Sequence, residues 1–223
     1  MRFQAPESLA EQIAQHLGRL IMVGTLKPLE RIQELKVASE LDVSRGSVRE
    51  ALLILERRHL IDIYPRKGAV VSDLSPHQVA SLYDMFAVLL TMLASKVATS
   101  WEEADLKPIT DQIQKINGII LTKEASIESV VDNSFELMDM CMGFCNNPYL
   151  QEIMENLRPS ISRTYYLAMR SRRDELMQSL HFYDGLLKSV KARDLSGLKL
   201  VIDSFAEHQK DLVLSVLEDR SAA

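Results

Sequence analysis

At 223 residues, 47% hydrophobic and 26% charged, the chain has the composition of an ordinary folded protein with room for two domains that each bury a core. No apolar run reads as long enough to span a bilayer, and Arg2 and Phe3 open into polar sequence instead of a signal peptide, so a cytoplasmic product is expected. Cys141 and Cys145 make neither a disulfide framework nor a zinc spacing, and the net charge of −5 argues at first against a nucleic-acid partner.

The first helix is expected from Ser8, which has capping-box spacing to Glu11, up to Gly24, with Leu9, Ile13, Leu17, Leu20 and Ile21 on its buried face. Ile32, Leu35, Val37, Ala38 and Leu41 form a short amphipathic segment, and Asp42-Val43 turn the chain. Ser44 is then placed to accept an orphan N–H of the next helix. In that helix Val48, Ala51, Leu52 and Leu55 recur at i, i+3, i+4 and i+7, one apolar stripe. Arg45 and Arg49 lie on the opposite side, near its start. A helix held by one face, with paired arginines and small hydroxyls on its first turns, suits a DNA groove. There a guanidinium can hold a phosphate or meet guanine O6 and N7 with two bonds.

Leu60 to Tyr64 alternates and is β-branched, Pro65-Arg66-Lys67-Gly68 supplies turn chemistry, and Ala69-Val70-Val71 can return as a second strand. This predicts a two-stranded wing with Arg66 and Lys67 at its tip and Gly68 allowing close backbone approach. Helix, turn, helix and basic wing in this order read as a winged helix-turn-helix. The candidate DNA contacts are Ser44, Arg45, Ser47, Arg49, Arg66, Lys67 and Gly68. Charge is distributed accordingly: residues 1–72 hold 11 Lys/Arg against 9 Asp/Glu, whereas residues 73–223 hold 15 against 22. Affinity for DNA depends on the local basic patch, so an acidic remainder is compatible with it.

Ser75-Pro76 is a cap followed by proline at the first helical position, which sets a domain boundary near residues 72–76. Helices are expected near 76–99, 102–121, 124–145, 148–170, 173–193 and 195–218, with breaks at Ser100-Trp101, Lys123, Asn146-Asn147-Pro148, Ser171 and Asp194. Pro159 should kink the fourth of them. The fold expected is therefore mostly α: a winged helix-turn-helix over 1–72 and an all-helical bundle over 73–223.

Ile32, Glu34, Val37-Ala38, Val43-Ser44-Arg45, Val48-Arg49-Glu50-Ala51-Leu52, Leu55-Glu56 and Gly68 resemble the winged helix-turn-helix of the GntR family of bacterial transcription regulators. The helical remainder resembles the FadR-like branch of that family. The resemblance implies a ligand-responsive regulator, not an enzyme, that binds a near-palindromic operator as a homodimer. Leu29 and His59 depart from it, standing in connecting turns where the family usually has glycine.

Further departures bear on the effector. Many FadR-like domains carry a metal site of Asp, a His four residues on, and two later His. Here Asp132 and Phe135 match, but Glu136, Tyr183 and Phe205 stand at the three His positions, the last two 22 residues apart as in the family. Carboxylate, phenol and phenyl in place of imidazoles leave no reasonable site, so no metal or other cofactor is expected. Phe86 and Leu90 replace an Arg and a Glu found in related domains. Several methionines surround them, and Arg163 to Tyr166 and His181 to Tyr183 resemble aromatic stretches of the fatty-acyl-CoA-responsive member. The ligand-binding candidates are Phe86, Leu90, Asp132, Glu136, Arg163, Tyr166, Tyr183 and Phe205, for an apolar or acyl-like effector such as a fatty acyl or acyl-CoA. A filled core without ligand, a small organic acid as effector, and a winged-helix protein-interaction scaffold are the alternatives.

Overall fold

The computed structural model describes residues 8–122 and 126–221, and they fall into two compact units. The first runs up to Ser75 and includes Asn156–Arg163; the second holds Pro76–Glu155 and the chain from Thr164 onward.

Unit 1 opens with α1 (Leu9–Met22), capped by Ser8, whose hydroxyl accepts the Glu11 N–H at 3.1 Å. A two-residue strand, β1 (Arg31–Ile32), leads to α2 (Glu34–Glu40) and α3 (Arg45–Arg57). The wing consists of β2 (Ile61–Tyr64) and β3 (Gly68–Val71), antiparallel with Ile61 opposite Val71 and Tyr64 opposite Gly68. The sheet has three strands where the sequence suggested two, because β1 pairs along the other edge of β3, Arg31 opposite Val70. Two residues carry too little periodicity to be read as a strand from sequence.

The stripe expected on α3 is the centre of this unit. Val48, Ala51 and Leu55 are fully buried and Leu52 nearly so, packed with Ile13, Leu17 and Ile21 of α1 and with Leu60, Ile61 and Val71 of the wing. Full burial of one such side chain is worth about 1.5–3 kcal/mol, so this face fixes which side of α3 is left outward. Leu29 and His59 both have positive φ, 64° and 55°, a region that costs an L-residue and not a glycine. The family's glycines at these turns thus have a steric explanation, and this chain accepts strain at both.

Unit 2 is helical throughout: α4 (Pro76–Ser100), α5 (Glu103–Leu121), α6 (Ile127–Met142), α7 (Pro148–Ser171), a single 3-10 turn at Arg173–Glu175, α8 (Leu176–Ala192) and α9 (Leu195–Ser221). The break expected at Lys123 lies outside the described residues. Helix α7 continues through Pro159, and its middle, Asn156–Arg163, folds with unit 1. Within unit 2, α9 packs along α4 and α8, and α5 along α6. Helix α4 is, by length and composition, apolar enough to cross a membrane, although the sequence reads as holding no such run; core helices of helical bundles share that property. Tyr83, Leu89, Leu90, Leu93 and Val97 are nevertheless buried in the bundle, and Asp84 pairs with Lys210 of α9 at 3.8 Å.

One corner of unit 2 is tied by Arg193. It sits in the left-handed conformation at the end of α8 and donates to the Ala98, Thr99 and Trp101 carbonyls. Its guanidinium also lies 4.4 Å from the Trp101 ring, while the indole N–H donates to the Val190 carbonyl at 3.0 Å. The exposed carbonyls at the end of α4 therefore receive a cation, the favourable sign for a helix C-terminus.

Candidate functional sites

The Ser44 hydroxyl accepts the Ser47 N–H at 3.0 Å and lies 2.9 Å from the Ser47 hydroxyl, so both serines close the first turn of α3. Arg45 and Arg49, at the start of α3 and outside the buried stripe, are exposed and share one carboxylate. Arg49 Nε donates to Glu34 Oε2 at 2.8 Å, and the Arg45 guanidinium is 3.8 Å from the same oxygen. Glu34 lies at the start of α2, half-buried. It aims both guanidinium groups with weak exposed pairs, each worth about 0–1 kcal/mol and open to exchange for phosphate. Glu34 matched the family pattern in sequence, but its pairing with residues eleven and fifteen places on depends on how α2 meets α3.

At the wing tip, the Lys67 N–H bonds to the Tyr64 carbonyl at 3.1 Å, with Pro65 second and Arg66 third in the turn. Arg66 has φ 66° and Gly68 φ 82°. A positive φ at the third position behind proline is the type II pattern, which normally takes glycine. Arg66 is held there exposed, next to exposed Lys67. A third cation escaped the sequence reading. A Cβ at Gly68 would lie 3.8 Å from the Arg31 guanidinium, so Arg31 joins the wing through the short strand β1.

The helical candidates are dispersed. Leu90 is buried and Phe86 half-buried on α4; Tyr166 is half-buried on α7. Tyr183, buried on α8, shares a hydrogen bond with Ser134 of α6, and burial pushes its phenol well above the ordinary value. Phe205 of α9 stacks on Phe182, ring centres 3.9 Å apart, and Phe182 meets Tyr183 edge-on. Asp132 and Glu136 are exposed. Glu136 accepts from Lys115 at 3.3 Å and Gln112 at 3.0 Å, bonds that hold its carboxyl below the usual range. Arg163 is buried in unit 1; burial draws its guanidinium down to about 10, against the pull of Asp73 and Asp62.

The metal site of related domains does not fit these residues. Glu136 is engaged by Lys115 and Gln112, Tyr183 by Ser134, and Phe205 has no donor atom. Among the described residues no group of three or more His, Cys, Asp and Glu could hold a metal ion. His208 is hydrogen-bonded to Glu175 at 3.0 Å, and His181 is exposed. Both cysteines are free thiols, and burial pushes that of Cys141 up to about 12, a poor nucleophile at neutral pH.

Residues 9–71 match the family described as bacterial regulatory proteins, gntR family, and residues 81–208 match the FCD domain. The gluconate operon transcriptional repressor of Bacillus subtilis (strain 168) is 26% identical over 221 residues, covering 93% of this chain and 88% of that protein. The HTH-type transcriptional regulator McbR of Escherichia coli (strain K12) is 24% identical over 197 residues, 86% of either chain. Among solved structures, E. coli McbR/YncC superposes with TM-score 0.76 at 20% identity, over 94% of this chain and 99% of that one. A GntR transcriptional regulator from Rhodococcus sp. RHA1 gives 0.66 at 18%, over 94% and 99%. These likenesses show a shared fold.

Proposed function

The chain belongs to the GntR family of bacterial transcription regulators, with an FCD domain as its effector-binding part, and from that premise we propose that it reads a near-palindromic operator as a homodimer under control of an apolar or acyl-like effector. The observation that carries the DNA reading is the two-sided α3. Its Val48–Leu55 stripe is buried while Arg45 and Arg49 stand exposed at its start, beside a wing bearing Arg31, Arg66 and Lys67. In this reading Arg45 and Arg49 contact base edges or phosphates, Ser44 and Ser47 contact phosphate, and Arg66, Lys67 and Gly68 bring the wing to the backbone or minor groove.

A twofold protein presents two copies of α3 and calls for an inverted repeat. A homodimer also needs an apolar surface, and exposed Met85, Val88 and Met92 form a stripe at helical spacing on α4 that would provide one. The effector reading is supported by Phe86, Leu90 and Tyr166 and by the aromatic group around Tyr183 and Phe205, with the exposed Asp132 and Glu136 on the solvent side. It involves no metal. An effector changes operator occupancy only by its differential affinity for two arrangements of the reading heads. Such a regulator acts in the cytoplasm, where its operator is.

Arg49→Ala tests the DNA contacts. In a gel-shift titration against the selected operator it should weaken binding by about 1–3 kcal/mol if the guanidinium meets a base with two bonds. Unchanged affinity and unchanged sequence preference would remove that role.

A further inference from the structure

Unit 2 buries an amide that no described residue satisfies. Gln209 on α9 is 1% exposed, and neither its Nε2 nor its Oε1 has a hydrogen-bond partner among the described residues. Native interiors rarely leave both ends of a buried amide unpaired, because each end keeps the full penalty of leaving water.

Its neighbours locate it. His208 bonds to Glu175 at the head of α8, and Lys210 lies 3.8 Å from Asp84 on α4. Gln209 therefore stands where α9 passes the start of α8 and the third turn of α4. Tyr83 precedes Asp84, and its hydroxyl is 3.0 Å from Thr164; Ser179, one turn beyond Glu175, lies 3.3 Å from the Tyr165 hydroxyl. Tyr165 is close enough to influence both the Tyr83 and the Tyr183 phenols. Burial raises all three phenols, which keeps them neutral donors.

Among the described residues, the polar side chains buried in this unit are Gln112, Thr164, Ser179, Ser189 and Gln209, and none of them is charged. The charges that flank Gln209 on α9 are already engaged, His208 with Glu175 and Lys210 with Asp84 and Glu207, so a carboxylate or an ammonium docked there would have to compete for a partner that is already paired. A carboxamide matches Gln209 atom for atom, one N–H to its oxygen and one carbonyl to its nitrogen.

We propose that the effector carries an uncharged, amide-like head, one donor beside one acceptor, docked on the Gln209 carboxamide. This rests on the reading of unit 2 as the domain of an apolar effector.

The test uses three probes with one tail and three heads: octanamide, octanoate and octylammonium, titrated calorimetrically into the full chain. Octanamide should bind at least about tenfold more tightly than either ion, because a site with a matched hydrogen-bonding pair rejects heads that leave it unpaired. Gln209→Met, close in shape, should lose that preference. Without ligand it should also melt at a higher temperature, its unpaired amide having been replaced by apolar atoms. Octanoate binding as tightly as octanamide would overturn the neutral head and leave an apolar effector standing. Failure of all three probes to bind the wild-type chain would overturn both readings. Unchanged octanamide affinity in Gln209→Met, or a lower melting temperature for that variant, would overturn the role of Gln209.

Discussion

Alkaline pH should unfold this protein through its interior tyrosines. Burial raises the phenols of Tyr83, Tyr165 and Tyr183 above the usual value of 10.0, that of Tyr165 to about 12. Above pH 10 the unfolded chain gives up these three protons while the folded chain keeps them. The folded state then binds more protons, so stability falls as pH rises, by about 1.4 kcal/mol per pH unit for each tyrosine. In unit 1, Arg163 acts in the opposite sense. Its guanidinium is drawn down to about 10 from 12.5, so between those values the unfolded chain holds the extra proton and stability rises. All three phenols lie in unit 2 and Arg163 does not, so unit 2 loses about 4 kcal/mol per pH unit between roughly pH 10.5 and 12. A domain stable by about 5–15 kcal/mol would lose a large share of its stability over that range. Near-UV absorbance reports tyrosinate and far-UV circular dichroism reports helix. The signal from the three buried phenols should rise together with loss of helicity, and Tyr83→Phe should shallow the decline by one proton. Tyrosinate from all six tyrosines at intact helicity would refute the burial argument.

Three further outcomes follow from particular contacts. His59→Gly and Leu29→Gly each relieve a positive φ at about 1–2 kcal/mol and add about 0.5–1 kcal/mol of glycine entropy, so each should raise the melting temperature by a few degrees in a thermal scan. Arg193→Ala strips the Ala98, Thr99 and Trp101 carbonyls of their donor and the indole of its cation; denaturant unfolding should show a loss of about 1–3 kcal/mol. Glu34→Gln releases Arg45 and Arg49 and removes a negative charge from the reading face. Fluorescence anisotropy should then show random-sequence duplex bound about threefold more tightly and the preference for the operator reduced.

What the sequence made legible was local. The Ser44 cap, the Val48–Leu55 stripe and the Pro65–Gly68 turn are set by neighbours within a few residues, and the structure holds each of them. The six helices of the second unit followed from caps and breakers in the same way. What escaped depends on long-range packing. Strand β1 exists only because β3 lies beside it, and Glu34 reaches Arg49 only across the angle between two helices. Arg163 sits in a sequence stretch resembling an effector segment, yet the middle of α7 folds with the first unit and buries the residue beside Asp62 and Asp73. Gln209 is one polar residue in a long amphipathic helix. Its missing partners become visible only when every neighbouring side chain has been placed.

The most direct test of the central claim is selection of bound duplexes from a random-sequence library, run in parallel with the wild-type chain and with Arg45→Ala and Arg49→Ala. Two inverted half-sites should emerge with the wild type, and each arginine variant should lose preference at symmetric positions of both. A single asymmetric site, or the same motif recovered with either arginine removed, would contradict the reading of α3 as the element that recognises DNA.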